Sequence, residues 1–279
     1  MGKLLDKLHQ VGQATGNRFG FMGRAETGAH PPRPAALLVA LGAGDTATAE
    51  ASIKAGADGI LITDWSPNSD IGRMKASLQS GGTLWGVEYT GAPVAPEGVQ
   101  KAAAEAGAGF LLLGPSAPAA VLFDEDQRLD LMVVVEIPRD DPARLLLRAE
   151  NLLPAQAALI QLPSSSATLS KMTVNEFARL RWVFETLRFP SLVRLSEAVQ
   201  AETIKALVHL GAEGIIVSGA SGKSEAVAKQ VQMIGETLQT LPVGESRRSS
   251  VAIGGFMSGA GESLVPRRPG QPAPEPDEE

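Results

Sequence analysis

Residues His209–Gly219 read HLGAEGIIVSG. The stretch holds the end of a helix, a Gly-Ala pair, one variable residue, a second glycine and an unbroken apolar run. Gly211 stands where a helix ends and the chain must turn with φ > 0, a position that favours glycine. The apolar run that follows, Ile215–Val217, has the continuous hydrophobicity of a strand covered on both faces. So this short stretch predicts a helix feeding a buried parallel strand.

The same pattern occurs twice more, as KAGADGILITD from Lys54 and EAGAGFLLLGP from Glu105. Its glycines are Gly56 and Gly107. The three copies start 51 and 104 residues apart, or two and four units of about 26 residues. One strand plus one helix has this length. The intervening units fill the gaps. Strands are predicted at Ala35–Gly44, in GILITDW, at Thr83–Gly91, in GFLLLGP, at Leu129–Pro138, at Ala157–Pro163, at Ser191–Glu197 and in GIIVSG. Helical stretches follow them, among them a short one near Ala119–Asp126 and one in DPARLLLRAENLL. Eight strand–helix units imply an α/β protein with a parallel (β/α)8 (TIM) barrel, with a doubly wound open sheet as the alternative.

The expected organisation has three parts. Residues 1–34 form an N-terminal helix and linker, residues 35–241 the barrel, and residues 242–279 a tail. The N-terminal helix carries Leu4, Leu5, Leu8 and Val11 at helical spacing, broken by Asp6, His9 and Gln10, unlike a signal-peptide core. Packing on its own domain, or docking on a partner or membrane surface, both fit this face. The tail is rich in Gly, Pro and Ser, ends in acids, and is expected to be disordered because it has little apolar surface to bury.

The 279 residues carry a net charge of −6, which offers no footprint for nucleic acid. Cysteine is absent, which excludes disulfides, thiolate catalysis and Cys-ligated metals. No apolar run reaches the roughly 20 residues a transmembrane helix needs. A cytoplasmic protein is the expectation.

Barrel enzymes carry their chemistry on the loops beyond the carboxyl ends of the strands. The loop after the eighth strand, GIIVSGASGKSEA, contains a Gly-Lys-Ser triplet, but Val217 replaces the first glycine a nucleotide P-loop requires. A shorter phosphate cup built on a helix N-terminus remains. Ser218, Gly219, Ser221, Gly222 and Lys223 are its candidate residues. The bland alternative is a tight turn in which Ser221 or Ser224 caps the next helix.

The stretch GAEGIIVSGASGKSEA resembles the last strand and loop of ribulose-phosphate-binding and flavin-linked (β/α)8 barrels. The resemblance covers this stretch and the repeated Gly-Ala-x-Gly-strand pattern, roughly a tenth of the chain. It implies a small phosphorylated metabolite or a flavin phosphate (FMN) at the carboxyl-terminal face, with lyase or isomerase chemistry. Those families carry a second glycine-rich turn after the seventh strand. Here the chain reads RLSEAVQ, so Ser196 is the one phosphate candidate there, beside Glu197, whose charge would repel a phosphate.

The catalytic candidates are few. The histidines, His9, His30 and His209, lie away from predicted strand ends, and no predicted strand contains a lysine that could form a Schiff base. What remains is Asp64, Glu88 and Glu136 with Arg194 and Gln161. Glu88 and Glu136 form a candidate acid–base pair, with Asp64 beside them and Arg194 and Gln161 orienting a substrate. A second possibility is Mg²⁺ held by Asp64, Glu88 and Glu136. A third is a structural Arg–Glu network that plugs the barrel, since charges within apolar strands need partners. The poverty of catalytic groups also suits a catalytically degenerate barrel that acts as a scaffold, meeting a protein partner through residues 1–30 and 245–279.

Overall fold

A computed structural model describes residues 3–12, 33–69, 71–80, 82–91, 98–123, 128–137, 151–162, 172–195, 199–219 and 222–243. All of them fall in one compact unit, Met1–Gly244. Eight strands pair in sequence order into a closed parallel barrel: β1 (Ala36–Gly42), β2 (Gly59–Thr63), β3 (Leu84–Tyr89), β4 (Phe110–Leu113), β5 (Asp130–Glu136), β6 (Ala157–Gln161), β7 (Ser191–Leu195) and β8 (Gly214–Ser218). β8 closes on β1 with Ile216 beside Leu38 and Ser218 beside Ala40. The open-sheet alternative is thereby excluded.

Seven α-helices are described: α1 (Lys3–Gly12), α2 (Thr46–Lys54), α3 (Gly72–Ser80), α4 (Val99–Ala106), α5 (Val174–Thr186), α6 (Ala201–Leu210) and α7 (Ser224–Gln239). The short helix expected near Ala119–Asp126 is a 3₁₀ turn over Ala119–Phe123. Most of the helix expected in Asp141–Leu153, the linker 13–32 and the tail from 244 lie outside the described residues.

The recurrent Gly-Ala element does what its sequence predicts. Gly56, Gly107 and Gly211 have φ of 102°, 94° and 106° just past the ends of α2, α4 and α6. Each helix stops there because an L side chain is strained in this conformation, and the chain then enters β2, β4 or β8.

Strand alternation sorts the apolar residues into two clusters. Leu37, Val39, Leu41, Ile60, Ile62, Val193, Ile215 and Val217 face outward and pack with the helices. Ala36, Leu38, Ala40, Leu61, Leu112, Met132, Leu159, Leu192 and Ile216 fill the interior. Leu4, Leu8 and Val11 of α1 belong to this interior cluster. Thus α1 closes the amino-terminal end of the barrel with its own apolar face.

Three polar anchors hold that end. The Leu4 and Leu5 amides donate to the Asp130 Oδ2 at 2.8 and 3.2 Å. Lys7 on α1 lies 3.3 Å from Asp58. Asp58 also accepts from Arg33 at 2.7 Å and from the Leu37 amide at 2.8 Å. Arg33 and Asp58 each expose only 3% of the side chain, so the pair satisfies two buried charges.

Candidate functional site

The carboxyl-terminal mouth collects the sequence candidates according to strand phase. Leu84, Leu112, Val134, Leu159, Leu192 and Ile216 point inward. The period of two then places Glu88, Glu136, Gln161, Arg194 and Ser218 on the inward face as well. Glu136 pairs in register with Gln161, and Gln161 with Arg194. Carboxylate, carboxamide and guanidinium therefore stand side by side on β5, β6 and β7.

Arg194 reaches across the mouth to Glu88. Its Nη1 donates to Oε1 at 3.0 Å and its Nη2 to Oε2 at 2.8 Å. This is a bidentate, charge-assisted pair, the geometry that suits guanidinium and carboxylate best. β3 and β7 are four steps apart in a ring of eight strands, so the pair spans a diameter. Arg194 Nε is buried and has no hydrogen-bond partner. The Arg–Glu network expected as a structural possibility is present in this form.

Asp64 behaves differently. It follows Thr63, the last residue of β2, and so falls out of the inward phase. It is exposed and has φ of 56°, the one non-glycine positive φ among the described residues. Aspartate tolerates this conformation better than most residues. Among the described residues no three His, Cys, Asp or Glu side chains form a group that could hold a metal ion. The Mg²⁺ arrangement of Asp64, Glu88 and Glu136 is not formed: Glu88 is committed to Arg194, and Asp64 leaves the strand out of phase.

The loop beyond β8 is compact. Gly219 donates its amide to the Ala40 carbonyl at 2.8 Å, which extends the β8–β1 pairing by one residue. A Cβ on Gly219 would lie 2.3 Å from the Leu41 Cδ2, so a side chain there would displace the tip of Leu41. Gly222 has φ of 74°. Lys223 is the N-cap residue of α7, it is exposed, and its side chain makes no capping hydrogen bond. Ser224 is the first residue of the helix rather than its cap. A hollow of about 500 Å³ opens here, lined by Gly222, Lys223, Ser224, Glu225, Ala226 and Lys229. Glu225 pairs with Lys229 at 2.7 Å. That hydrogen bond and charge lower the Glu225 carboxyl pKa and raise that of Lys229. Ser196 and Ser221 lie outside the described residues.

Asp58 and Asp130 are not among the sequence candidates, because both sit at the amino-terminal ends of strands, opposite the face where barrel enzymes carry their chemistry. A signal was available: each is an acid directly before or at the start of an apolar run, a costly position for an unpartnered charge.

No family model matches the chain and no curated protein matches its sequence. Solved structures do match its fold. Thiamine phosphate pyrophosphorylase from Pyrococcus furiosus is 16% identical, with a TM-score of 0.54, over 73% of this chain and 95% of that one. Tryptophan synthase from M. tuberculosis is also 16% identical, with a TM-score of 0.57, over 74% and 93%. Phosphoribosyl anthranilate isomerase from Thermus thermophilus is 15% identical, with a TM-score of 0.54, over 74% of this chain and 100% of that one. At these identities the likeness is one of architecture: the chain is a (β/α)8 barrel of the kind these enzymes share.

Proposed function

We propose that the protein binds a small phosphorylated metabolite at the carboxyl-terminal face of the barrel, as a lyase or isomerase. The observation that carries this reading is the start of α7. The helix begins at the mouth, its N-cap is an exposed lysine with no capping bond, and a hollow opens beside its first turn. Unsatisfied amides and the helix dipole favour an anion at such a place. Ser218, Gly219, Ser221, Gly222 and Lys223 are the proposed phosphate contacts, with Ser196, the residue that follows β7 in the sequence, as a sixth. The names of a thiamine phosphate pyrophosphorylase and a phosphoribosyl anthranilate isomerase among the fold's neighbours support the ligand class.

Within the mouth, Arg194 and Gln161 orient the substrate. Of the carboxylates Asp64, Glu88 and Glu136, the last has the inward phase without an ionic partner among the described residues, and is the proposed general base. A second reading draws on the Arg194–Glu88 pair: a mouth whose inward-facing guanidinium is neutralised suits a barrel that has lost its chemistry and serves as a scaffold.

Native mass spectrometry of the protein purified from its source, with a visible absorbance scan, tests both. A co-purifying phosphorylated metabolite supports the binding reading, and a flavin band narrows it to a flavin phosphate. A bare barrel, or one carrying a protein partner, overturns it in favour of the scaffold.

A further inference from the structure

The Glu88–Arg194 pair divides the mouth. A bar between β3 and β7 leaves β4, β5 and β6 on one side and β8, β1 and β2 on the other. The two halves differ in chemistry. On the first, the inward positions nearest the mouth include Glu136 and its cross-strand neighbour Gln161, both exposed. On the second, they are Ser218, Ala40 and Gly42, and Thr63, small and uncharged, beside the start of α7.

The charges follow the same line. Glu88 and Arg194 cancel each other in a bidentate pair, so neither presents a net charge to a ligand. Among the described residues, Glu136 is the inward-facing charge without an ionic partner. It repels an anion and attracts a hydrogen-bond donor. A phosphate is therefore directed to the β8–β1–β2 half, where small side chains leave room and the helix dipole attracts it. The other half is suited to the opposite kind of group.

Resting on the phosphate-binding reading above, we infer that the mouth is a two-compartment site for a phosphate ester whose far end carries a hydrogen-bond donor, an amine or a hydroxyl. The phosphate occupies the β8–β1–β2 half. The chain of the ligand lies over the Glu88–Arg194 bar, which blocks end-on entry into the barrel. The amine or hydroxyl donates to the Glu136 carboxylate and the Gln161 side-chain oxygen. Glu136 and Gln161 are thus the residues that determine specificity at the end distant from the phosphate.

The test is titration calorimetry on the full chain with inorganic phosphate and three five-carbon monophosphates: pentyl, 5-hydroxypentyl and 5-aminopentyl phosphate. The amine is expected to bind about tenfold tighter than the methyl-ended ester, with the hydroxyl between them. Glu136→Gln is expected to bring the three within about threefold of one another. A thermal melt of the variant checks folding, which an exposed site should leave intact. Equal affinities in the wild type, or a preference that survives Glu136→Gln, overturn the two-compartment inference and leave the phosphate reading standing. Failure of inorganic phosphate and all three esters to bind overturns both.

Discussion

Arg194 on β7 and Glu88 on β3, 106 residues apart in the chain, meet across the barrel mouth through two parallel hydrogen bonds. Their side chains expose 22% and 10% of their surface. Truncating one partner leaves the other as a poorly solvated, unpaired charge. Arg194→Ala is therefore expected to cost about 2–4 kcal/mol, less than a fully buried pair would because the site is partly open. Glu88→Gln combined with Arg194→Met should recover much of that loss. Urea unfolding of the wild type and these two variants checks this. An unchanged midpoint for Arg194→Ala would mean that the bar does not hold the two walls together in solution.

Asp130 gives the stability a pH dependence. Burial raises its carboxyl pKa, by more than the hydrogen bonds from the Leu5 and Leu4 amides lower it; Asp6 adds a smaller upward push. A carboxyl whose pKa rises on folding holds its proton more tightly in the folded chain. Its contribution is favourable below the unfolded value and is lost as pH climbs through the raised folded value. Asp130→Asn keeps an acceptor oxygen for both amides and has no titrating proton. The stability of the wild type relative to this variant is expected to fall as pH rises from about 3 to 6. Chemical denaturation across that range measures it, and a difference that grows with pH would contradict the assignment.

Gly86 makes room for an aromatic ring. It pairs across strands with Phe110, and a Cβ there would lie 2.5 Å from the Phe110 ring. Gly86→Ala is expected to destabilise by about 1–3 kcal/mol through overpacking. Adding Phe110→Leu should relieve part of the clash. Additive losses in a double-mutant cycle would show that the two positions do not share one space.

Asp58 joins three parts of the closed end: Arg33, α1 through Lys7, and β1 through the Leu37 amide. Asp58→Ala strands a buried guanidinium and a buried amide together. A loss of about 3–5 kcal/mol is expected. Lys7→Ala, which removes a side chain that is itself about one-third open to water and leaves Asp58 its Arg33 partner, should cost well under half as much. Thermal unfolding of the two variants side by side decides the order.

The last helix among the described residues, α7, ends at Gln239 with Leu238 fully buried. A chain ending at Gly244 keeps every contact described here. Its unfolding midpoint is expected to equal that of the full chain, and limited proteolysis is expected to produce a fragment of this length. A lowered midpoint would show that residues 245–279 pack on the barrel.

The architecture was legible because it is written in local rules. Gly56, Gly107 and Gly211 mark helix ends through a backbone preference that depends on one residue, and the apolar runs after them need only a two-sided cover to be read as parallel strands. The amphipathic face of α1 was equally visible, with Leu4, Leu8 and Val11 at helical spacing. Its destination was not, since a helix face shows that it needs an apolar partner and not which one.

The site was legible only as a set of candidates. Asp64, Glu88 and Glu136 stand alike in the sequence, each at the end of an apolar run. Closure of the barrel puts β3 opposite β7 and so selects Glu88 as the partner of Arg194. A single residue of strand phase turns Asp64 out of the mouth while Glu136 stays in phase with it. Local propensity, turn chemistry and hydrophobic period act over a few residues, and the sequence by itself therefore determined the eight strands and most of the helices between them, while the choice of a closed barrel over an open sheet waited on β8 pairing with β1. Charge pairing acts through space, between residues that only the closed ring brings within hydrogen-bond reach. The tertiary structure alone decided which carboxylate is neutralised by Arg194 and which stands on the inward face without an ionic partner among the described residues.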